Sequence, residues 1–437
     1  MSATVTIDGD KQAQLAAHPW RAAVLAEVHA RPFLPLETPR RLIHFAFDTS
    51  DERAHADRAA LSEACVSSGL PAPGPRDKHH LIKLSNVTLR WEQHSEFTTY
   101  TWELPAEEGA LFTPPAPLLA RPMTLLPQPG PVLVAVDLHL VRGDPTVAAL
   151  EQTFDRSALA VASTGDGAAL FATDFKPNAE GFVSILVGNR GLDPAQTGAL
   201  VQRLLEIETY RTLALLGLPE AQQIAPSIRR IEVRLAELTD EIRRSEGLSA
   251  NHRLLDELTA LAAELEARAA ASLFRFGASR AYDELVQLRL QTIGERSVAG
   301  LPTWTSFLAR RMAPAMRTCA TLEERQANLS RKLTRAANLL RTRVDVELEQ
   351  QNRDLLKSMN ARTRLQLRLQ ATVEGLSVAA ISYYVVGLFG YLVKGAHDAG
   401  FVHIEPSYAT AAFVPLAVLF IWWLVRRIRK RHIAGEM

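Results

Sequence analysis

Cysteine is nearly absent from this chain: its 437 residues include two, Cys65 and Cys319, far apart and in no CxxC pair. A disulfide framework and a cysteine-based structural zinc site are thereby excluded, which suits a reducing compartment. The N-terminal stretch from Met1 to Gln12 has neither the basic start nor the apolar run of a secretory signal, and carries Asp8 and Asp10. The bulk of the N-terminal portion is expected to stay in the cytoplasm. Catalytic signatures are missing as well. The GDG at 165–167 lacks the later Gly and Lys of a phosphate-binding loop, and neither GxSxG nor HExxH occurs. Nothing in the sequence makes a case for an enzyme, and no cofactor or nucleic-acid partner is expected.

The formal charge is only +1, but it is unevenly placed: Arg dominates from Arg325 to Arg368 and again from Arg426. Between these stretches lie two long apolar runs. Gly375 to Val393 holds no charged residue and is bounded by Glu374 and Lys394. Tyr408 to Val425 is more apolar still, ends in Trp422 and Trp423, and is followed by Arg426, Arg427, Arg429, Lys430 and Arg431. At about 1.5 Å per residue each run is roughly long enough to cross a hydrocarbon core of about 30 Å, with the tryptophans at the interface. Arg362, Arg364 and Arg368 precede the first run, and the 394–407 loop has Lys394 as its one Lys or Arg. The excess of basic residues outside the pair predicts a multi-pass inner-membrane protein with both termini in the cytoplasm and a periplasmic loop.

Ahead of the apolar pair, periodicity predicts a helix over Gln12–His29, a strand over Leu42–Asp48 and a helix over Ser50–Ser68. Strands follow at His80–Trp91, Glu96–Glu103, Val132–Val141, Ala158–Ser163, Ala168–Phe175 and Phe182–Val187, then a helix at Asp193–Leu216. This order reads as an α/β layered domain with a mixed sheet over 1–217. From 218 to 318 the pattern is helical, with an antiparallel pair at Pro226–Arg244 and Asn251–Phe274 and shorter helices at Ala281–Arg296 and Thr305–Arg317. Residues 319–374 contain neither Pro nor Gly. One stalk helix is expected to run through them into the membrane hairpin at 375–425, with a basic cytoplasmic tail at 426–437. The whole is an α+β membrane protein. An apolar stripe along the stalk, from Leu322 through Leu340 to Leu369, must be covered by helices of the same chain or of a neighbour. Both arrangements stand.

Chemistry-bearing residues fall in three places. Ser377, Tyr384 and Tyr391 recur every seven residues on one face of the first span, with Gly387 between the tyrosines. In an oligomer that face would line a water-filled path; otherwise it packs helices through small residues. Glu92, His94 and Glu96 share one face of an extended chain and would suit a divalent metal or an anion-bearing partner, or simply form the polar outside of a strand. Glu27 and His29 at the end of the first helix are weaker candidates, as are His397 and Asp398 in the periplasmic loop, where they would concentrate cations or keep a short loop soluble.

The segments HPWRAAVLAEVHARPF (18–33), RWEQHSEFTTYTW (90–102), LLEIETYRTLALLGLP (204–219), LRTRVDVELEQQNRDLLKSMNAR (340–362) and TVEGLSVAAISYYVVGLFGYL (372–392) resemble a bacterial family of predicted membrane-anchored proteins of unknown function. The resemblance covers nearly the whole chain and implies membrane anchorage. In the order of its parts the chain is also similar to the CorA-type magnesium and zinc transporters. Gly387, Leu388, Phe389 and Gly390 fit the approach to that family's Gly-Met-Asn signature, and Tyr391 and Leu392 stand where it has Met and Asn. This second resemblance implies a homo-oligomer, as a pentamer, that conducts a divalent cation. The alternative expectation is a membrane-tethered scaffold or regulator whose cytoplasmic domain binds a soluble partner.

Overall fold

A computed structural model of the chain describes residues 4–5, 15–21, 24–25, 33–49, 51–106, 111–112, 123, 126–298, 300–401 and 403–433. The chain divides into two compact units, residues 1–239 with 258–335 and residues 240–257 with 336–437.

The first unit is built around strand β3, Arg40–Asp48, after a two-residue ladder of β1 (Thr4–Val5) with β2 (Leu15–Ala16). The ladder corrects the expected helix over Gln12–His29. His18 precedes Pro19, and a residue before proline is pushed out of the helical region, so the described helical positions there begin at Arg21. Helix α1 (Asp51–Ser67) follows β3, and then β4 (His79–Leu84), β5 (Val87–Gln93), β6 (Phe97–Pro105), β7 (Val132–Arg142), α2 (Val147–Thr153), β8 (Ala160–Ser163), β9 (Ala169–Thr173), β10 (Val183–Asn189) and α3 (Pro194–Leu215). The stretch expected as one strand, His80–Trp91, is a hairpin instead. Ser85, with φ of 51°, opens a two-residue loop, and Leu84 pairs with Val87.

Nine strands form one mixed sheet in the order β11-β8-β9-β10-β7-β3-β6-β5-β4, where β11 is Arg296–Ser297. The β10–β7 pairing is parallel and the others are antiparallel. Because side chains alternate along a strand, β3 sends Ile43, Phe45 and Phe47 to one face and Leu42, His44 and Ala46 to the other. On the first face they meet Leu61 and Cys65 of α1 with Trp91, Tyr100 and Trp102. The second face packs on Leu200, Leu204 and Ile207 of α3.

Asp193 caps α3 by accepting from the Gln196 backbone N–H at 2.7 Å, while the Gln196 side chain accepts from the Asp193 N–H at 3.1 Å. Helices α4 (Gly217–Arg244), α5 (Leu248–Ile293), α6 (Trp304–Asp398) and α7 (Pro406–Ile433) complete the chain. They are longer than expected. The Ala281–Arg296 helix is the end of α5, and the Thr305–Arg317 helix is the start of α6, which runs for 95 residues. Pro226 and Pro314 lie inside α4 and α6 without ending them. Each removes one backbone donor, and the residues four back, Gln222 and Arg310, lie on exposed surface where water can serve the freed carbonyls.

In the first unit, α4 and α6 are joined by Arg325 and Glu232, whose Nη2 and Oε2 lie 2.6 Å apart, and α5 and α6 by Arg280 and Glu323 at 3.0 Å. In the second unit Arg343 of α6 donates to the Ile242 and Ser245 carbonyls at 3.0 and 2.7 Å, satisfying the open C-terminus of α4. The stalk stripe divides accordingly. Leu322, Leu329, Leu333, Leu340 and Val344 are buried within the chain, whereas Leu355, Met359, Leu365 and Leu369 are exposed. Helices α6 and α7 each contain a stretch long and apolar enough to cross a membrane.

Gly198 of α3 is where helix and preceding chain meet most closely: a Cβ there would lie 1.8 Å from the Leu34 carbonyl oxygen. The neighbour is backbone and cannot swing aside. Gly198→Ala is expected to cost about 3 kcal/mol through overpacking, read as a lower thermal midpoint of the full chain in detergent; an unchanged midpoint would count against this packing.

Candidate functional site

Within the second unit the last third of α6 and the length of α7 run antiparallel. The Phe389 and Phe413 rings stack with centroids 3.9 Å apart, and Gly390 lies against Thr410. Ser382, Ala417 and Ile421 are buried. Ser377, Tyr384, Gly387 and Tyr391 all lie exposed. The Tyr384 and Tyr391 rings keep 70 and 79 % of their exposure, so the expected hydroxyl face is one that α7 does not cover. Ser377 donates to its own Val373 carbonyl at 2.8 Å. Ser382 is a residue that sequence reasoning missed: buried, with a hydroxyl that has no partner among the described residues. Its only sequence signal is a small polar residue in an apolar run, which suits close helix packing.

Helix α6 stops by a backbone device. Gly400, with φ of 81°, donates to His397 O at 3.0 Å, and Phe401 donates to Ala396 O at 3.0 Å, a Schellman closure that glycine makes inexpensive. His397 and Asp398 sit in this last turn, exposed. Of the remaining candidates, Glu27 and His29 lie outside the described residues.

Of Glu92, His94 and Glu96, the first two line one small cavity on the α3 face, together with His44 and Arg90. The chain is not extended through them: β5 ends at Gln93, β6 begins at Phe97, and the turn between splits the three. Glu92 faces Arg90, with 3.8 Å between Oε2 and Nε, His94 stacks on the Phe97 ring at 4.1 Å, and Glu96 pairs with Arg275 of α5. Among the described residues no group of three or more His, Cys, Asp or Glu is arranged to hold a metal.

Beside Glu92 and His94 the sheet brings together polar groups that the sequence did not single out. On the α3 face, His44 Nδ1 lies 2.8 Å from Thr101 Oγ1 and Nε2 lies 3.1 Å from Thr209 Oγ1. The Thr209 hydroxyl already donates to Leu205 O at 2.9 Å, so Nε2 must carry the proton and Nδ1 must accept from Thr101. Burial, and then the Arg90 charge, lower the His44 pKa to about 3. Next to it, Arg90 donates to Gln202 at 2.9 Å, Gln202 donates to Glu206 at 3.0 Å, and Glu206 pairs with Arg289 of α5. The cavity among His44, Arg90, Thr99 and Thr209 is about 20 Å³, room for one water.

Across the sheet, Asp57 accepts from Trp91 at 2.9 Å and from the Tyr100 hydroxyl, and burial raises its pKa against those bonds. Arg41 holds Asp137 with two bonds of 2.9 and 2.8 Å, beside His139 at 3.5 Å. Burial pushes the Asp137 carboxyl up, but the adjacent His139 and the Arg41 hydrogen bonds outweigh it and bring the pKa below its ordinary value. The signal available in the sequence was a lone polar residue inside an apolar strand, as His44 is in LIHFAFD. These groups tie strands to helices; their arrangement fixes position.

A family model described as "Protein of unknown function (DUF3422)" matches residues 16–432. No match to the chain was found among the curated proteins or the solved structures.

His44 yields a pH test with a definite sign. Its folded pKa of about 3 lies below the ordinary imidazole value of about 6.5, so unfolding takes up a proton at intermediate pH. The stability it contributes is complete above pH 6.5 and is lost as pH falls toward 3, by up to about 1.4 kcal/mol per unit. Thermal midpoints across pH 7.5 to 4 should therefore fall less steeply for His44→Gln than for the native chain. Parallel profiles would show that His44 does not carry this part of the acid limb.

Proposed function

We propose a function for a chain that belongs to the DUF3422 family: an integral inner-membrane protein of CorA-like architecture, assembled as a homo-oligomer and passing a divalent cation along the outer face of its first span. The observation that carries this reading is exposure. Only 6 and 11 % of the apolar windows in α6 and α7 are buried, so these helices are not the core of a soluble fold, and apolar surface of that extent calls for lipid or a neighbour. Arg364, Arg368, Arg426 and Arg427 mark the end that faces the cytoplasm.

On the face that α7 leaves open, Tyr384 and Tyr391 offer hydroxyls and Gly387 gives room. Brought together around an axis, those hydroxyls would replace part of an ion's hydration shell. The exposed Leu355, Met359, Leu365 and Leu369 continue the same demand for a neighbour along the stalk.

A second reading, a membrane-tethered scaffold whose α/β domain binds a soluble partner, is favoured by two details. The Ser377 hydroxyl is spent on its own helix, and the position that holds Asn in CorA-type signatures is Leu392. The two readings part on one measurement. In proteoliposomes the native protein should take up divalent cation, and Tyr384→Phe and Gly387→Leu should remove most of that flux. A chain that stays monomeric in detergent, or an oligomer that passes no divalent cation, leaves the tether. In that case Ser377→Ala, Tyr384→Phe and Tyr391→Phe should be silent, while substitutions from Glu92 to Glu96 are not.

A further inference from the structure

The cytoplasmic end of the hairpin carries far more positive charge than the rest of the chain requires. From Leu355 to Val373 there is no acidic residue, while Lys357, Arg362, Arg364 and Arg368 are present; after the second apolar run the chain is basic again from Arg426 to Arg431. Arg364, Arg368, Arg426 and Arg427 are exposed. None of the four has an ion pair among the described residues. Higher on the stalk the situation differs, because Arg353 is paired with Glu349 at 2.6 Å.

The two arginines of α7 are also oriented. The Arg426 guanidinium lies over the Trp422 ring and that of Arg427 over the Trp423 ring, each 5.0 Å from the centroid. Stacking occupies the flat face of a guanidinium and leaves its N–H edge free, the geometry that grips a phosphate with two parallel bonds. Tryptophans at the end of an apolar run sit at headgroup depth, so these edges are held where lipid phosphates lie.

We propose that Arg426 and Arg427, with Arg364 and Arg368, form a binding site for the phosphates of anionic lipid headgroups at the cytoplasmic leaflet. This rests on the reading of α6 and α7 as membrane spans. Distance selects the members. Arg368 lies seven residues before Gly375, about 10 Å along the helix, and Arg364 about 16 Å. The headgroup zone is roughly 5–8 Å deep and the Debye length about 8 Å, so both arginines reach it with their side chains or their field. Lys357, about 27 Å away, does not. Anionic lipid also answers the repulsion that these cations would exert on their counterparts in an oligomer.

The test uses the purified full chain in detergent, with thermal midpoint and native mass spectrometry as readouts on adding phosphatidylglycerol, phosphatidylcholine or inorganic phosphate. Phosphatidylglycerol alone should raise the midpoint and stay bound. Arg426→Lys with Arg427→Lys, which keeps charge but loses fork and stack, should remove most of the shift. Arg364→Gln with Arg368→Gln should reduce it, and Lys357→Gln should leave it intact. Equal shifts with phosphatidylcholine or with inorganic phosphate would overturn the site, as would a full shift in the double-lysine variant or a loss in Lys357→Gln. Carbonate washing of native membranes tests the spans separately: release of the chain defeats the membrane reading, whereas retention without lipid preference defeats this inference alone.

Discussion

Strand β3 has hydrogen-bonded neighbours on both sides along nearly its whole length, and the first unit depends on that position. A strand in the middle of a sheet has two faces to bury and no edge to expose. Its alternation therefore decides which residues build which layer. One buried polar residue per face is admitted, and each has partners: Arg41 in Asp137, His44 in Thr101 and Thr209. A buried polar group without partners would cost more than its bond returns, so these pairings fix which strands and which helix lie beside β3. Register follows, because a slip by one residue would exchange the aromatic and polar faces.

The helices solve a different problem. Each long helix presents a stripe that has to be covered, and the chain covers it selectively. Along α6 the stripe is buried as far as Val344, with Arg343 closing the end of α4, and bare afterwards. The change comes where an all-basic stretch, Arg325 to Arg343, gives way to Asp345, Glu347 and Glu349, and it precedes the apolar run by some thirty residues. Coverage by the same chain and exposure thus occur in succession on one continuous helix, and the first of the two expectations for the stripe accounts for its upper part.

What could be read in the sequence was what depends on local pattern. The strands of the sheet, the capped start of α3 at Asp193 and the two apolar runs each carry a signal within a few residues. Where the reading failed, distant partners decided. Two helices were divided at Thr318 and near Gly277, but α6 and α5 run on through both. The chain from Glu92 to Glu96 looked extended because alternation says nothing about where a hairpin turns. The contacts of His44 lie 57 and 165 residues away, beyond any local window. The recurrence of Ser377, Tyr384 and Tyr391 could be read locally, because a period of seven on a helix needs no partner to define it, and all three lie exposed on α6.

The two glycines of the GLFG stretch lead somewhere else. Glycine in a helix interior costs up to about 1 kcal/mol relative to alanine. Nothing lies within 4 Å of a Cβ built on Gly387, and one built on Gly390 would touch Thr410 at an ordinary 3.5 Å. The isolated chain thus accepts the flexibility of two glycines within one turn and gains no closeness from them. Gly387, on the side that α7 leaves open, is thereby a place where the backbone of α6 is little screened by side chains among the described residues.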